Sequence, residues 1–211
     1  SGKLKPIIEW LCFVEVKIGN NPIDEAQIER YATFGREIGI NSIITVSNDL
    51  VTNPMQSPIK LKKRSFNLFH WSWTFLQVTA HRLIRTESIK DEDHTYILNE
   101  FGRYVDSHSK LSNYTNMGKE WKDSVTSIQS LDTKQKISPA LLSSVVKSYI
   151  QEEKDISLQL TSRSGLHIEL LSNGNRKESV EKMLQNTKVI TSEFMLNKDK
   201  NNTFSLDGDF I

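Results

Sequence analysis

The stretch "FVEVKIGNNPIDEAQIERYATFGREIGINSIITVSND", Phe13 to Asp49, decides the fold. Around its start, Ile7–Ile18 is apolar and rich in β-branched residues, which predicts a strand. A helix is expected next. Asn21 is placed to cap it, Pro22 suits its first position, and Asp24 and Glu25 favour the positive end of its dipole. Gly39 supplies a left-handed stop, and Asn41–Ser47 (NSIITVS) reads as a second, buried strand. Strand, helix and strand within about thirty residues form a βαβ unit, with parallel strands joined by a right-handed crossover.

Working outward, residues 49–63 read as a loop with Pro54 and Pro58, and a basic run, KLKKR, occupies 60–64. A short strand near Phe69 leads into a helix over Trp73–Ile84, and the helical period returns over Asp91–Asp106. Ser107–Lys136 is polar and weakly periodic. Ser138 and Pro139 open another helix. Ile156, Leu158 and Leu160, then Leu166, Ile168 and Leu170, alternate around Ser162–Gly165 as a hairpin would. A helix at Arg176–Gln185 and strands near 188–196 and 203–210 complete the chain. The expected class is α/β. A core of 1–106 has a central mixed sheet flanked by helices, 107–137 is a linker or irregular segment, and 138–211 is an α+β accessory region.

With 211 residues, 37% apolar, 25% charged and a net charge of +1, the composition is that of a globular chain without a global basic field. Any nucleic-acid contact must come from a local patch. The one cysteine, Cys12, excludes an internal disulfide and fits a reducing, cytoplasmic setting. No run approaches the ~18 apolar residues of a membrane span, so no membrane partner is expected. A homo-oligomer or a partner protein stays open.

Charges inside an apolar strand are costly without partners. Residues two apart on a strand point the same way, so Glu15 and Lys17 share one face. A carboxylate can hold a hard cation, Mg²⁺ or Mn²⁺, through oxygen. An ammonium beside it can orient a water or stabilise charge on a phosphodiester. The pair alone is a weak signal, because three more Asp/Glu-x-Lys triplets occur at Glu120, Asp132 and Glu152. Only Glu15/Lys17 sits on a strand within a βαβ unit. Gln27 and Tyr31 add a second signal: four apart, they stack on one helix face, and no other glutamine has a tyrosine at that spacing. Lys60, Lys62, Lys63 and Arg64 are candidate contacts to a DNA backbone. Trp71 and Trp73 read as core residues. The five histidines have no ligand spacing.

Glu15-Val16-Lys17 on a strand, followed by Gln27-x-x-x-Tyr31 on a helix, resembles the PD-(D/E)XK superfamily of restriction-endonuclease-like nucleases, in the branch typified by bacterial recombination helicase-nucleases. The resemblance covers roughly residues 5–50 by motif and 65–105 by order of elements. It implies a Mg²⁺- or Mn²⁺-dependent nuclease hydrolysing DNA. Glu15 would be a metal ligand, helped by the Val16 carbonyl, and Lys17 the catalytic lysine. Gln27 and Tyr31 would position the lysine or the DNA. One element departs from the pattern. The superfamily carries an aspartate on the strand before Glu-x-Lys, and no aspartate precedes Asp24 here. On a continuous 7–17 strand, Glu9 would stand about 20 Å from Glu15. Three explanations are open: the aspartate lies in sequence outside this chain, residues are missing between Trp10 and Phe13, or the fold persists as a catalytically inactive binding module.

Overall fold

Six consecutive buried residues, Ser42–Ser47, form the strand β2 at the centre of a three-stranded parallel sheet. The computed structural model describes residues 10–19, 21–61, 66–111, 118–131, 135–171, 175–196 and 203–209. β1 (Phe13–Val16) pairs on one side of β2, with Glu15 opposite Thr45, and β3 (Asn67–Ser72) pairs on the other, with His70 opposite Thr45. Such double-sided burial produces the near-continuous Ile-Ile-Thr-Val run of β2. The helix α1 (Glu25–Ile38) joins β1 to β2, as expected of a βαβ unit. Ile28 and Ala32 of α1 bury against Ile43 and Phe66, with Phe13, Tyr31 and Leu68 packed alongside.

α1 begins later than its sequence suggests. Asp24, in extended conformation, is the N-cap, and its carboxylate accepts from Ala26 N at 2.9 Å. The Asn21 amide instead donates to the Ile18 carbonyl, holding the turn before the helix. Gly39 ends α1 at φ 78°, as expected. Gly35 is needed for a different reason. A Cβ there would lie 2.5 Å from the Ile40 carbonyl oxygen and 2.6 Å from Phe66 Cζ. α1 therefore sits closer to the sheet than a side chain at this position permits.

β3 runs directly into α2 (Trp73–Arg85), capped by the Ser72 hydroxyl, and α3 (Glu92–Ser107) is capped by Asp91. Both follow the sequence reading. The segment expected to be a linker contains a helix, α4 (Gly118–Gln129). Its apolar residues are few but correctly spaced: Ile128 is buried, with Trp121 and Val125 packed beside the same core. α5 runs from Pro139 to Ser164, so the hairpin expected around Ser162–Gly165 does not form. No glycine or proline interrupts 140–164, and the helix continues until Gly165 at φ 75°. Ser157 and Thr161 face inward: Ser157 Oγ donates to the Ile168 carbonyl, and Thr161 Oγ1 accepts from Ile168 N.

A second sheet contains β4 (Ile168–Leu170), β5 (Val189–Leu196) and β6 (Thr203–Asp209), all antiparallel, with α6 (Arg176–Asn186) between β4 and β5. The chain is thus mixed α/β. Among the described residues the first sheet is parallel throughout rather than mixed, and the antiparallel pairing lies in this separate sheet. α5 links the two regions. Its first half packs on α4, α6 and β5 through Val145 and Val146. Leu158, in its second half, joins Leu50 and Val78. Among the described residues, no helix is long and apolar enough to cross a membrane.

Candidate active site

The strand register places three polar residues in a row on the α1 side of the sheet: Glu15 on β1, Thr45 on β2 and His70 on β3. Thr45 and His70 are fully buried. His70 Nε2 lies 3.1 Å from the Asp49 carbonyl oxygen, which can only accept, and Nδ1 lies 2.8 Å from Thr45 Oγ1. Burial pushes the His70 pKa down, against the opposing Asp49 contacts. The ring is therefore held neutral, protonated on Nε2, with Nδ1 accepting from the threonine. This end of the row is a satisfied structural histidine.

The other end is open. Among the described residues β1 is an edge strand, and Val14, Val16 and Ile18 on its opposite face are exposed. Four side chains close a ring on the α1 side. Lys17 Nζ lies 2.7 Å from Glu15 Oε1 and donates to Gln27 Oε1 at 3.3 Å. Gln27 Nε2 donates to the Tyr31 hydroxyl at 2.7 Å, and that hydroxyl donates to Glu15 Oε2 at 3.0 Å. All four residues named from the sequence meet at one place. Helical spacing accounts for the alignment: one turn of α1 separates Gln27 from Tyr31, as one pleat separates Glu15 from Lys17. Phe13 stacks on the Tyr31 ring at 5.8 Å and fixes its plane.

The electrostatics follow from the ring. Burial pushes Glu15 up, but hydrogen bonds from Lys17 and Tyr31 and the Lys17 charge outweigh it, holding the carboxyl below its ordinary 4.5. The Glu15 hydrogen bond pushes Lys17 above its ordinary 10.5. Lys17 is thus an ammonium and a hydrogen-bond donor at any physiological pH; it is no base.

Two anchors are not evident from the sequence. Trp73, at the start of α2, donates from its indole Nε1 to the Lys17 carbonyl at 3.1 Å, and so ties β1 to the far side of the sheet. Lys17 N donates to the Val46 carbonyl. In a parallel ladder, that bond turns the N–H and C=O of Val16 outward, to the open edge. The only sequence signal for the first anchor is a tryptophan at the strand-to-helix junction, a position equally suited to core packing. Of the basic residues proposed for DNA contact, Lys60 is exposed on its loop, and Lys62, Lys63 and Arg64 lie outside the described residues.

A hard cation needs oxygen donors. Within the ring Glu15 is the one carboxylate, and each of its oxygens already has a donor, although each retains a lone pair. Among the described residues, no three His, Cys, Asp or Glu side chains converge. Glu15 and the outward Val16 carbonyl therefore match magnesium at its minimum, where one carboxylate holds an ion that keeps most of its water or takes phosphate oxygens. Compared with family models, curated proteins and solved structures, the chain finds no match.

Proposed function

We propose that the Glu15–Lys17–Gln27–Tyr31 ring is the active site of a metal-dependent nuclease that hydrolyses DNA phosphodiesters, on a restriction-endonuclease-like core of the PD-(D/E)XK kind. The observation that carries this reading is convergence. Two sequence signals ten residues or more apart, one on a strand and one on a helix, close into one hydrogen-bonded ring. The ring stands at the carboxyl end of a parallel strand, where open α/β sheets place their ligands.

Glu15 and the Val16 carbonyl would hold Mg²⁺ or Mn²⁺. When bound, such an ion supplies a Lewis acid that acidifies a water and offsets phosphate charge. Lys17, kept protonated by Glu15, donates to a non-bridging phosphate oxygen as charge develops. Gln27 and Tyr31 restrict both charged groups to one rotamer each, so that little reorganisation accompanies the reaction. Lys60 and the basic residues after it would lie along the DNA backbone.

A second reading has its own support. Both Glu15 oxygens are already paired with protein donors, and no second carboxylate joins the ring among the described residues. That arrangement suits an inactive nuclease-fold module that binds protein or nucleic acid. Supercoiled plasmid incubated with Mg²⁺ or Mn²⁺ separates the two readings. Nicking by the wild-type chain that falls about 10²–10⁴-fold in Lys17→Ala supports the hydrolase. Equal rates for the two proteins, or none on duplex, single-stranded or hybrid substrates, support the binding module.

A further inference from the structure

Away from the ring, α2, α5 and the start of β4 enclose a cavity of about 220 Å³, partly open to solvent. Its walls are mainly apolar, built by Phe75, Val78, Leu158 and Ile168. A histidine and an arginine also line it, and they differ. His167 is partnered: Nε2 lies 2.8 Å from Glu169 Oε1, which also accepts from Asn53 Nδ2. Arg82 is half-buried, and among the described residues its guanidinium has no hydrogen-bond or ion-pair partner. Its neighbour Arg85 shows what a partnered arginine looks like on the same helix, donating to the Ser162 and Arg163 carbonyls at the end of α5.

A half-buried guanidinium without an acceptor forfeits interactions that water supplies only in part. An apolar chamber with one such cation is complementary to a compact apolar body bearing one negative charge. The volume agrees, since a cavity of roughly 150 Å³ already accepts benzene. A single uncompensated cation favours a monoanion, because a second negative charge would enter without a partner. We propose that this cavity is a binding site for a small aromatic carboxylate, its ring among Phe75, Val78 and Leu158 and its carboxylate on Arg82. The site is independent of the Glu15 ring and stands whether or not the chain is a nuclease.

The test uses the full chain and three probes at millimolar concentration: benzoate, benzyl alcohol and phenyl phosphate. Amide ¹H–¹⁵N spectra report where and how tightly each binds. Benzoate should shift Val78, Thr79, Leu158 and Ile168 and bind at least about tenfold more tightly than benzyl alcohol, the margin of one charged hydrogen bond. Arg82→Gln should lower benzoate to the level of benzyl alcohol and leave the alcohol unchanged, while Arg82→Lys should recover part of the difference. Thr79→Phe, which fills the chamber, should abolish both. Absence of saturable shifts at these residues overturns the site. Equal binding of benzoate and benzyl alcohol overturns the role of Arg82, and a preference for phenyl phosphate overturns the monocarboxylate assignment.

Discussion

Glu153–Arg176 and Glu15–Lys17 are built from similar parts and differ in what surrounds them. Glu153, on α5, is buried to 2% exposure. Both of its oxygens accept from Arg176 at the start of α6, and Oε1 accepts from Ser192 Oγ on β5 at 2.5 Å. Arg176 also reaches the Thr191 carbonyl, and Tyr149 hydrogen-bonds Ser192. The partners come from α5, α6 and β5, and every bond points inward. The Glu15 ring is also an acid–base pair tied by a hydroxyl, yet it lies on an edge strand with side chains 13% and 25% exposed. An ion pair enclosed on all sides joins elements together. One with an open side, next to an outward backbone carbonyl, can exchange a protein partner for a ligand.

The comparison breaks if the two pairs respond alike to truncation. Glu153→Ala leaves Arg176 buried without its partner and should cost about 3–5 kcal/mol, read as a lowered urea midpoint. Lys17→Ala should move the urea midpoint far less, because the pair has an open side. On the proposed nuclease reading, its effect belongs in the nicking rate. Comparable losses of stability would mean that the Glu15 ring, too, is a structural staple.

Gly35→Ala sharpens the comparison from the other direction. The new methyl meets backbone at Ile40 and the rings of Phe66 and Phe13, and overpacking of this kind costs about 1–3 kcal/mol. Because α1 carries Gln27 and Tyr31, its displacement should also open the ring. A variant as stable as wild type would show that α1 has slack, and that the convergence of the four residues is less tightly held than the packing requires.

Why the N-terminal half and the start of α5 are legible in the sequence, and the second half of α5 is not, is a matter of periodicity and breakers. Val14, Val16 and Ile18 alternate with Glu15 and Lys17, Gly39 stops α1, and β2 is apolar enough to be strand in any context. Residues 156–160 also alternate, and alternation alone cannot separate a strand from a helix that buries Ser157 and Thr161 to serve the Ile168 backbone. α4 was hidden because three apolar residues in twelve are a thin stripe. Of the site, the charged pair and the Gln-Tyr pair carry their own spacing signals. Trp73 and the Thr45–His70 row do not, since their roles arise from strand register, which joins residues twenty-five or more apart.

His70 and Glu15 occupy the two ends of one row and should answer pH separately. The His70 pKa is lowered in the fold, so the unfolded chain takes up the proton first. Its contribution is fully present above pH 6.5 and is lost as pH falls below 6.5 toward the folded value. Urea midpoints on either side of pH 6.5 should show this, and His70→Gln should flatten the slope. An unchanged slope would remove the neutral histidine from the account of the row.

The smallest effect is the most specific. Tyr31→Phe deletes one hydroxyl, which donates to Glu15 and accepts from Gln27, and should change stability by less than about 1 kcal/mol at this partly exposed site. The Glu15 carboxyl should nevertheless respond. Its folded pKa lies below 4.5, partly through the Tyr31 hydrogen bond. Its stabilising contribution is therefore complete above pH 4.5 and lost as pH falls through the folded value. Without the hydroxyl that value should rise toward 4.5, so the contribution shrinks and its loss is complete at a higher pH, and a ¹³C titration of Glu15 Cδ would record the higher midpoint. A Glu15 titration indifferent to Tyr31→Phe would mean that the hydroxyl only fills space, leaving Lys17 as the sole control on the carboxylate.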